Sequence, residues 1–325
     1  MQIEFRLLRQ QPPQPPQLVS YALDLDPSRT VLDALLHIKE EIDGSLGLRK
    51  NCRNMICGSC AVRINGQAGL ACGQHLGAVA REGVITVAPL GNLPVIKDLV
   101  VDMQAFWDQL ERVDPYVCPE ARQLPEREFL QTPDQRQPLQ AAANCILCGA
   151  CYSDCQSVPV HPQFVGPHAL AKANRLLKDN RDSQRRQRLR FLNSLSGVWG
   201  CTRCHNCNVV CPMGVAPLDQ ITEIKQGVLR DYRRRKNALL RASRAIRHRL
   251  TLVALVREGG WIDERRFGLE VVGNQGRDLA GLASLAPLGL RLIRKGKFPW
   301  TFHPSSGSRV VKKLIDLVRQ EDSCD

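Results

Sequence analysis

No run of about 18 apolar residues occurs in this chain of 325 residues, so nothing in it is long enough to span a bilayer, and any membrane association is expected to be peripheral. The opening stretch MQIEFRLLRQQPPQPPQ lacks the apolar core and small-residue cleavage site of a secretory signal. It reads as the start of a protein on the cytoplasmic side. A glycine-rich G-x-G-x-x-G or P-loop fingerprint is also missing, which argues against a nucleotide cradle within the chain. No pair of residues stands out as a general acid and base, so bond-making is expected on a partner. Helix-turn-helix and C2H2 spacings are absent too, and no nucleic-acid partner is expected.

What the chain has is length for two or three domains, 14 cysteines and an uneven charge. Residues 1–100 carry 10 Lys and Arg against 9 Asp and Glu, and residues 101–230 carry 15 against 13. Residues 231–325 carry 20 against 10, so most of the formal charge of +13 sits in that last segment. A basic segment of this kind suits an acidic partner surface or anionic headgroups, or is a solvated helix face.

The first hundred residues read as strands with one helix. IEFRLL and LVSYALDL, joined by QPPQPPQ, predict a hairpin, and TVLDALLHIKEEI predicts a helix capped by Ser28 with Val31, Leu32, Leu35, Leu36 and Ile38 inward. CAVRING and GVITVAP resume strand character, with Asn65-Gly66 as a hairpin turn. Residues 89–100 read as a domain connection. Helices are expected through DLVVDMQAFWDQLERV, PHALAKANRLLKDN, QRRQRLRFLNSL and PLDQITEIKQGVLRDY, then in a basic amphipathic segment from about Arg233 to Arg257 with Leu239, Leu240, Ile246, Leu250 and Val253 as its apolar stripe, and in KKLIDLVRQ. The predicted class is α+β. A β-grasp domain over 1–100 precedes an all-α domain over 101–230 and a basic, mostly helical extension over 231–325.

Twelve of the cysteines fall in three tight groups, unlike the spread of a secreted disulfide scaffold. Cys52, Cys57, Cys60 and Cys72 have the C-x4-C-x2-C…C spacing of a plant-type 2Fe-2S loop, in which inward-turned amides bond the cluster sulfurs and Gly58 and Ser59 ease the turn. Structural zinc prefers separated C-x2-C pairs and fits this group poorly. Cys145, Cys148, Cys151 and Cys155 form a C-x2-C-x2-C-x3-C run, and Cys201, Cys204, Cys207 and Cys211 repeat it before Pro212. Two such runs define the bacterial two-cluster ferredoxin arrangement, where each fourth cysteine serves the other cluster. One cluster is therefore expected on Cys145, Cys148, Cys151 and Cys211, and a third on Cys155, Cys201, Cys204 and Cys207. His205, inside the third run, is read as a ligand, a hydrogen-bond donor or a surface residue. Cys118 and Cys324 fall outside the groups.

A plant-type 2Fe-2S domain followed by a two-cluster helical domain resembles the iron-sulfur subunit of succinate dehydrogenase and fumarate reductase. TVLDALLHIKEEIDGSL, NCRNMICGSCAVRINGQAGLAC, PVIKDLVVDM and NCILCGAC carry the likeness, from about residue 3 to about residue 230. The resemblance implies a flavoprotein partner bearing FAD, electron passage through a 2Fe-2S cluster, a 4Fe-4S cluster and a third cluster, and quinone at a membrane-anchor subunit. The common member holds 3Fe-4S at the third site, with a non-cysteine where this chain has Cys204, so a 4Fe-4S cluster is expected here. The family's quinone pattern of His, Pro and Trp meets Thr202, Gln156 and Val160. The fourth cysteine and the extension look more like variant succinate dehydrogenases and heterodisulfide-reductase-like subunits. Fumarate reductase, a thiol-coupled fumarate reductase and a related flavin-dependent dehydrogenase subunit are the neighbouring readings; a zinc-bearing nucleic-acid-binding protein is the distant one.

Overall fold

In the N-terminal strands the side chains alternate between core and solvent, and this alternation fixes their register. Ile3, Phe5 and Leu7 of β1 (Gln2–Arg9) are buried while their neighbours are only half covered. Each such side chain contributes roughly 1.5–3 kcal/mol on burial. The computed structural model describes residues 1–119, 128–233 and 242–321. Its chain divides into two units, Met1–Gln226 and Gly227–Asp325.

Strand β1 pairs antiparallel with β2 (Gln17–Asp24), as the Pro-rich hairpin predicted. β3 (Ala61–Ile64) and β4 (Gln67–Leu70) form a second hairpin. Asn65 and Gly66 turn it at φ 50° and 87°, a conformation Asn and Gly adopt at little cost. β5 (Val84–Ala88) runs parallel to β1 and antiparallel to β3, giving the order β2-β1-β5-β3-β4. The helix Val31–His37 buries Val31, Leu32, Leu35 and Leu36, and strands plus helix make the expected β-grasp.

Thr30, not Ser28, caps that helix. Its hydroxyl accepts from the Asp33 amide at 3.2 Å, and Asp33 accepts from the Thr30 amide at 3.0 Å. This is a capping box, which Asp33 three positions on makes possible. Ser28 bonds Asp26 instead.

Residues 89–100 are not a bare connection. They contain β6 (Val95–Lys97), paired with β7 (Val100–Val101), so the helix expected from Asp98 begins only at Gln104. Between the two strands Asp98 is buried, accepting from Arg9 Nε at 2.9 Å and from the amides of Gln10 at 3.1 Å and Gly47 at 2.7 Å. A buried carboxylate needs such partners, and supplying them fixes this segment to the sheet domain.

The helices Gln104–Glu111, Gly166–Lys178 and Arg185–Leu192 carry the rest of the first unit, and the helix Pro217–Arg233 begins in it and runs past its end at Gln226. Leu218, Ile221, Ile224 and Val228 form the buried stripe of the last, at the spacing one helix face requires. Phe106 stacks on His168 with ring centroids 3.8 Å apart, and burial lowers the His168 pKa to about 3, keeping the imidazole neutral. Arg188 is buried at the centre of a polar knot. It donates to the carbonyls of Val113, Asp114 and Tyr116, each at 2.8 Å, and pairs with Asp182 at 2.8 Å. Burial alone would raise the Asp182 pKa; the Arg188 guanidinium and the Cys118 amide outweigh it and hold the carboxyl below its usual range.

In the second unit the helices Arg244–Gly259 and Ser308–Glu321 pack together, and Arg257 clasps Asp316 at 2.6 and 3.0 Å. The helix expected from Arg233 is described from Arg244. Ile246 is buried and Leu250 and Val253 half-buried, while Leu239 and Leu240 lie outside the described residues. The helix Leu279–Arg294 was not anticipated. No helix among the described residues is long and apolar enough to cross a membrane.

Replacing Arg188 by Met would strand the buried Asp182 carboxylate and three carbonyls. The expected loss is about 3–5 kcal/mol in urea unfolding, whereas a loss below about 1 kcal/mol would show that the knot does not hold the helices.

Candidate metal centres

None of the thirteen cysteines among the described residues is in a disulfide. The first group sits on a loop whose backbone turns left-handed at Arg53, Met55 and Gly58, with φ of 58°, 55° and 74°. These turns aim amides inward. Asn54, Ile56 and Cys57 donate to Cys52 Sγ at 3.3, 3.4 and 3.3 Å, and Met55 donates to Cys72 Sγ at 3.3 Å. Cys60 leads into β3, and Cys72 follows β4 on a short 3-10 turn, so the hairpin brings the two together. Burial, with Cys72 and Cys57 close by, pushes the Cys60 thiol up to about 12. The Ser59 hydroxyl and nearby amides pull Cys57 down to about 6.

In the second group, Cys145, Cys148, Cys151 and Cys211 line one pocket, together with Phe106 and His168. Burial and neighbouring thiols raise Cys148 to about 11 and Cys151 well above its usual value. Burial also raises Cys145, against the pull of the Leu147 amide and the Lys172 ammonium. In the third group, burial followed by the charges of Cys201, Cys155 and Cys204 lifts Cys207 to about 12. Burial raises Cys155 in turn, with Cys204 and Cys201 adding to it.

The two later runs repeat in backbone as well as in spacing. The residues flanking the middle cysteine are left-handed in both: Leu147 and Gly149 at 55° and 84°, Arg203 and His205 at 61° and 71°. Cys204 thus occupies in the third group the place Cys148 occupies in the second. His205 stands in the Gly149 position and is exposed, so of its readings the surface residue fits.

Among the described residues, no group of Cys, His, Asp or Glu is arranged to hold a single metal ion. Four sulfurs round a pocket instead suit a multi-iron cluster, whose inorganic core must fit between them. Residues 4–108 match a family described as a 2Fe-2S iron-sulfur cluster binding domain, and residues 141–215 match a 4Fe-4S dicluster domain. The fumarate reductase iron-sulfur subunit of Haemophilus influenzae is 36% identical over 67% of this chain and 89% of its own length. Iron-sulfur subunit 1 of rice mitochondrial succinate dehydrogenase is 40% identical over 68% of this chain and 80% of its own. A chain of the Mycobacterium smegmatis Sdh1 complex in the apo form superposes with a TM-score of 0.66 at 25% identity, covering 71% of this chain and 96% of that one. This chain belongs to the iron-sulfur subunits of succinate dehydrogenase and fumarate reductase.

Membership in this family makes the chain an electron-transfer subunit of an oxidoreductase, with 2Fe-2S and 4Fe-4S domains and, as is typical of such subunits, a third cluster. What sequence reasoning missed is how the two cluster domains of this subunit meet. A Cβ on Gly58 would lie 2.9 Å from Cys148 Cβ, so the first cysteine loop rests directly on the second group. Asn92 donates to the carbonyls of Tyr152, Ser153 and Cys155 at 2.8, 3.0 and 2.9 Å. Asp154 accepts from the Ala68 amide at 3.0 Å and faces Arg63 at 3.5 Å, while Asn206 of the third run donates to the Asp154 carbonyl at 3.1 Å. Gly-Asn reads only as a turn, and nothing in the sequence marks these contacts. Gln156, Val160 and Thr202 are all exposed. Cys118 is buried beside Arg188, and Cys324 lies outside the described residues.

Gly58→Val adds bulk where backbone and Cys148 leave none, at a φ that a branched side chain resists. Iron and acid-labile sulfide per purified chain are expected to fall by at least about half, whereas Gly227→Ala, with nothing within 4 Å of the new carbon, leaves them unchanged. Full cluster content in the Gly58 variant would show that the two loops are not in tight contact.

Proposed function

We propose that this chain is the electron-carrying subunit of a succinate:quinone oxidoreductase, with Cys52, Cys57, Cys60 and Cys72 holding the 2Fe-2S cluster. Cys145, Cys148, Cys151 and Cys211 hold a 4Fe-4S cluster, and Cys155, Cys201, Cys204 and Cys207 hold the third. The observation that carries this reading is the pocket in which Cys211, from the later run, joins three cysteines of the earlier one. When bound, the clusters carry single electrons between the FAD of a flavoprotein partner and quinone at a membrane anchor.

The chain's own residues hold and tune the thiolates. Amides at Asn54, Met55, Ile56 and Cys57 stabilise thiolate charge on the exposed first loop. In the second group Lys172 favours the Cys145 thiolate electrostatically, and the Phe106 and His168 rings help exclude water. Gly58, by lacking a side chain, lets the first two groups lie in contact, which short-range electron passage requires. The exposed edge at Gln156, Val160 and Thr202 is the face offered to the anchor, with side chains unlike the family's common quinone pattern. In this reading 1–100 and 101–230 are the cluster domains, 231–325 is the extension, and the assembly sits on the cytoplasmic face of a membrane without nucleic-acid contact. The reductase direction is the second reading, since relatives of both names match the chain over similar lengths.

The third cluster is 4Fe-4S in this reading, because Cys204 shares the backbone setting of Cys148 and supplies a fourth thiolate. Cys204→Ser is expected to convert that site towards 3Fe-4S, giving a new signal in electron paramagnetic resonance of the oxidised protein, while the cluster on Cys145, Cys148, Cys151 and Cys211 survives. A strong oxidised three-iron signal in undamaged unmodified protein, unchanged on substitution, would remove Cys204 from the ligands.

A further inference from the structure

Neither matching family reaches the unit Gly227–Asp325, which holds most of the chain's excess positive charge. Its helix Leu279–Arg294 carries no charged residue from Leu279 to Leu290, yet none of its side chains is buried. Leu282 and Leu285 lie against Gly273 and Gly268, while Leu279, Leu288, Leu290 and Ile293 face solvent. An apolar stretch of about 12 residues is too short to cross a bilayer and ordinarily is either a core helix or an interfacial one. With no buried side chain, this helix is not a core helix.

Basic residues and exposed aromatic rings accompany this apolar face within the unit. Arg291, Arg294, Lys295 and Lys297 follow the uncharged stretch directly, and Phe298 and an exposed Trp300 follow them. Trp261 donates its indole N–H to the His303 carbonyl at 2.7 Å and leaves its ring more than half exposed. The helix Ser308–Glu321 turns Val311 and Ile315 inward, to half-buried positions, and exposes Val310, Leu314, Leu317 and Val318, which recur at i, i+4, i+7 and i+8 on one face. Arg309, Lys312 and Lys313 flank that stripe, and Asp316, the acidic residue among them, is held by Arg257.

We propose that this unit binds an anionic lipid surface, with the helix Leu279–Arg294 and the exposed stripe of Ser308–Glu321 pressed into the headgroup boundary. Lipid fits better than an acidic protein because uncharged leucines, bordering Arg and Lys and interfacial Trp occur together, the combination that lies in a membrane interface. Each basic residue near such a surface contributes about fivefold in affinity at low salt. The proposal does not depend on which cysteines hold which cluster.

The test is cosedimentation of the full, cluster-loaded chain with lipid vesicles. Binding is expected to phosphatidylcholine vesicles containing about a quarter phosphatidylglycerol, and not to pure phosphatidylcholine. The quadruple variant Arg291→Gln, Arg294→Gln, Lys295→Gln, Lys297→Gln is expected to bind at least about 100-fold more weakly. Leu288→Asp with Leu290→Asp is expected to weaken binding at least about tenfold. These positions are exposed, so cluster absorbance and helical circular dichroism should stay unchanged in both variants. No cosedimentation with the anionic vesicles would overturn the proposal, as would binding that the aspartates leave intact. Retention by an acidic protein partner, with both vesicle types leaving the chain in the supernatant, would overturn it too.

Discussion

A cysteine binds iron as a thiolate, and burial opposes the thiolate; this conflict shapes the first unit. Burial drives Cys148 to about 11 and Cys60 and Cys207 to about 12, so at neutral pH these sulfurs are protonated until a cation replaces the proton. Metal binding must therefore release protons and offset desolvation, which couples cluster insertion to folding. The fold eases the cost differently at each place. On the exposed first loop, left-handed turns bring several amides to Cys52 and Cys72, whereas in the second group a nearby Lys172 favours Cys145. Positive φ at non-glycine residues, unfavourable by itself, is the local strain that allows those amides to turn inward.

The crossing of the runs adds a long-range constraint. Cys211 must travel from the third run to the pocket of the second, and the helices Gly166–Lys178 and Arg185–Leu192 lie in the chain between. Their packing therefore sets the separation of two cysteine runs distant in sequence. Arg188 serves this end, since its bonds to Val113, Asp114 and Tyr116 tie the second of those helices to the segment following Gln104–Glu111. A buried charge is costly, but its multiple carbonyl partners define one arrangement of these elements.

Spacing made the three cysteine groups legible, because ligand chemistry is local: two or three residues between sulfurs constrain the loop whatever surrounds it. The strands were legible from alternation and most of the long helices from their apolar stripes, but not Leu279–Arg294, which buries no side chain. What escaped was tertiary. Thr30 displaced Ser28 as the cap because Asp33 completes a reciprocal pair, a preference visible only when both partners are considered. Asp98 looked like part of a linker, and its burial among Arg9, Gln10 and Gly47 depends on residues far away in the chain. Asn92 and Gly58 likewise have turn chemistry in the sequence and a docking role only in three dimensions.

Charge and apolar surface are distributed as two separate problems. Through residue 230 the chain carries nearly balanced charge, and its apolar side chains are largely consumed by two cluster domains in contact. After that the balance turns basic, and leucines remain on the outside of a helix that has few neighbours to bury them. A helix of that composition has no buried side chain to give up and gains by meeting another apolar phase, so a demand for a covering surface arises in the extension as well as at the exposed edge beside the third cysteine group. The cluster domains can then be rigid, as short-range electron passage requires, while adhesion is supplied by residues that hold no cysteine among those described.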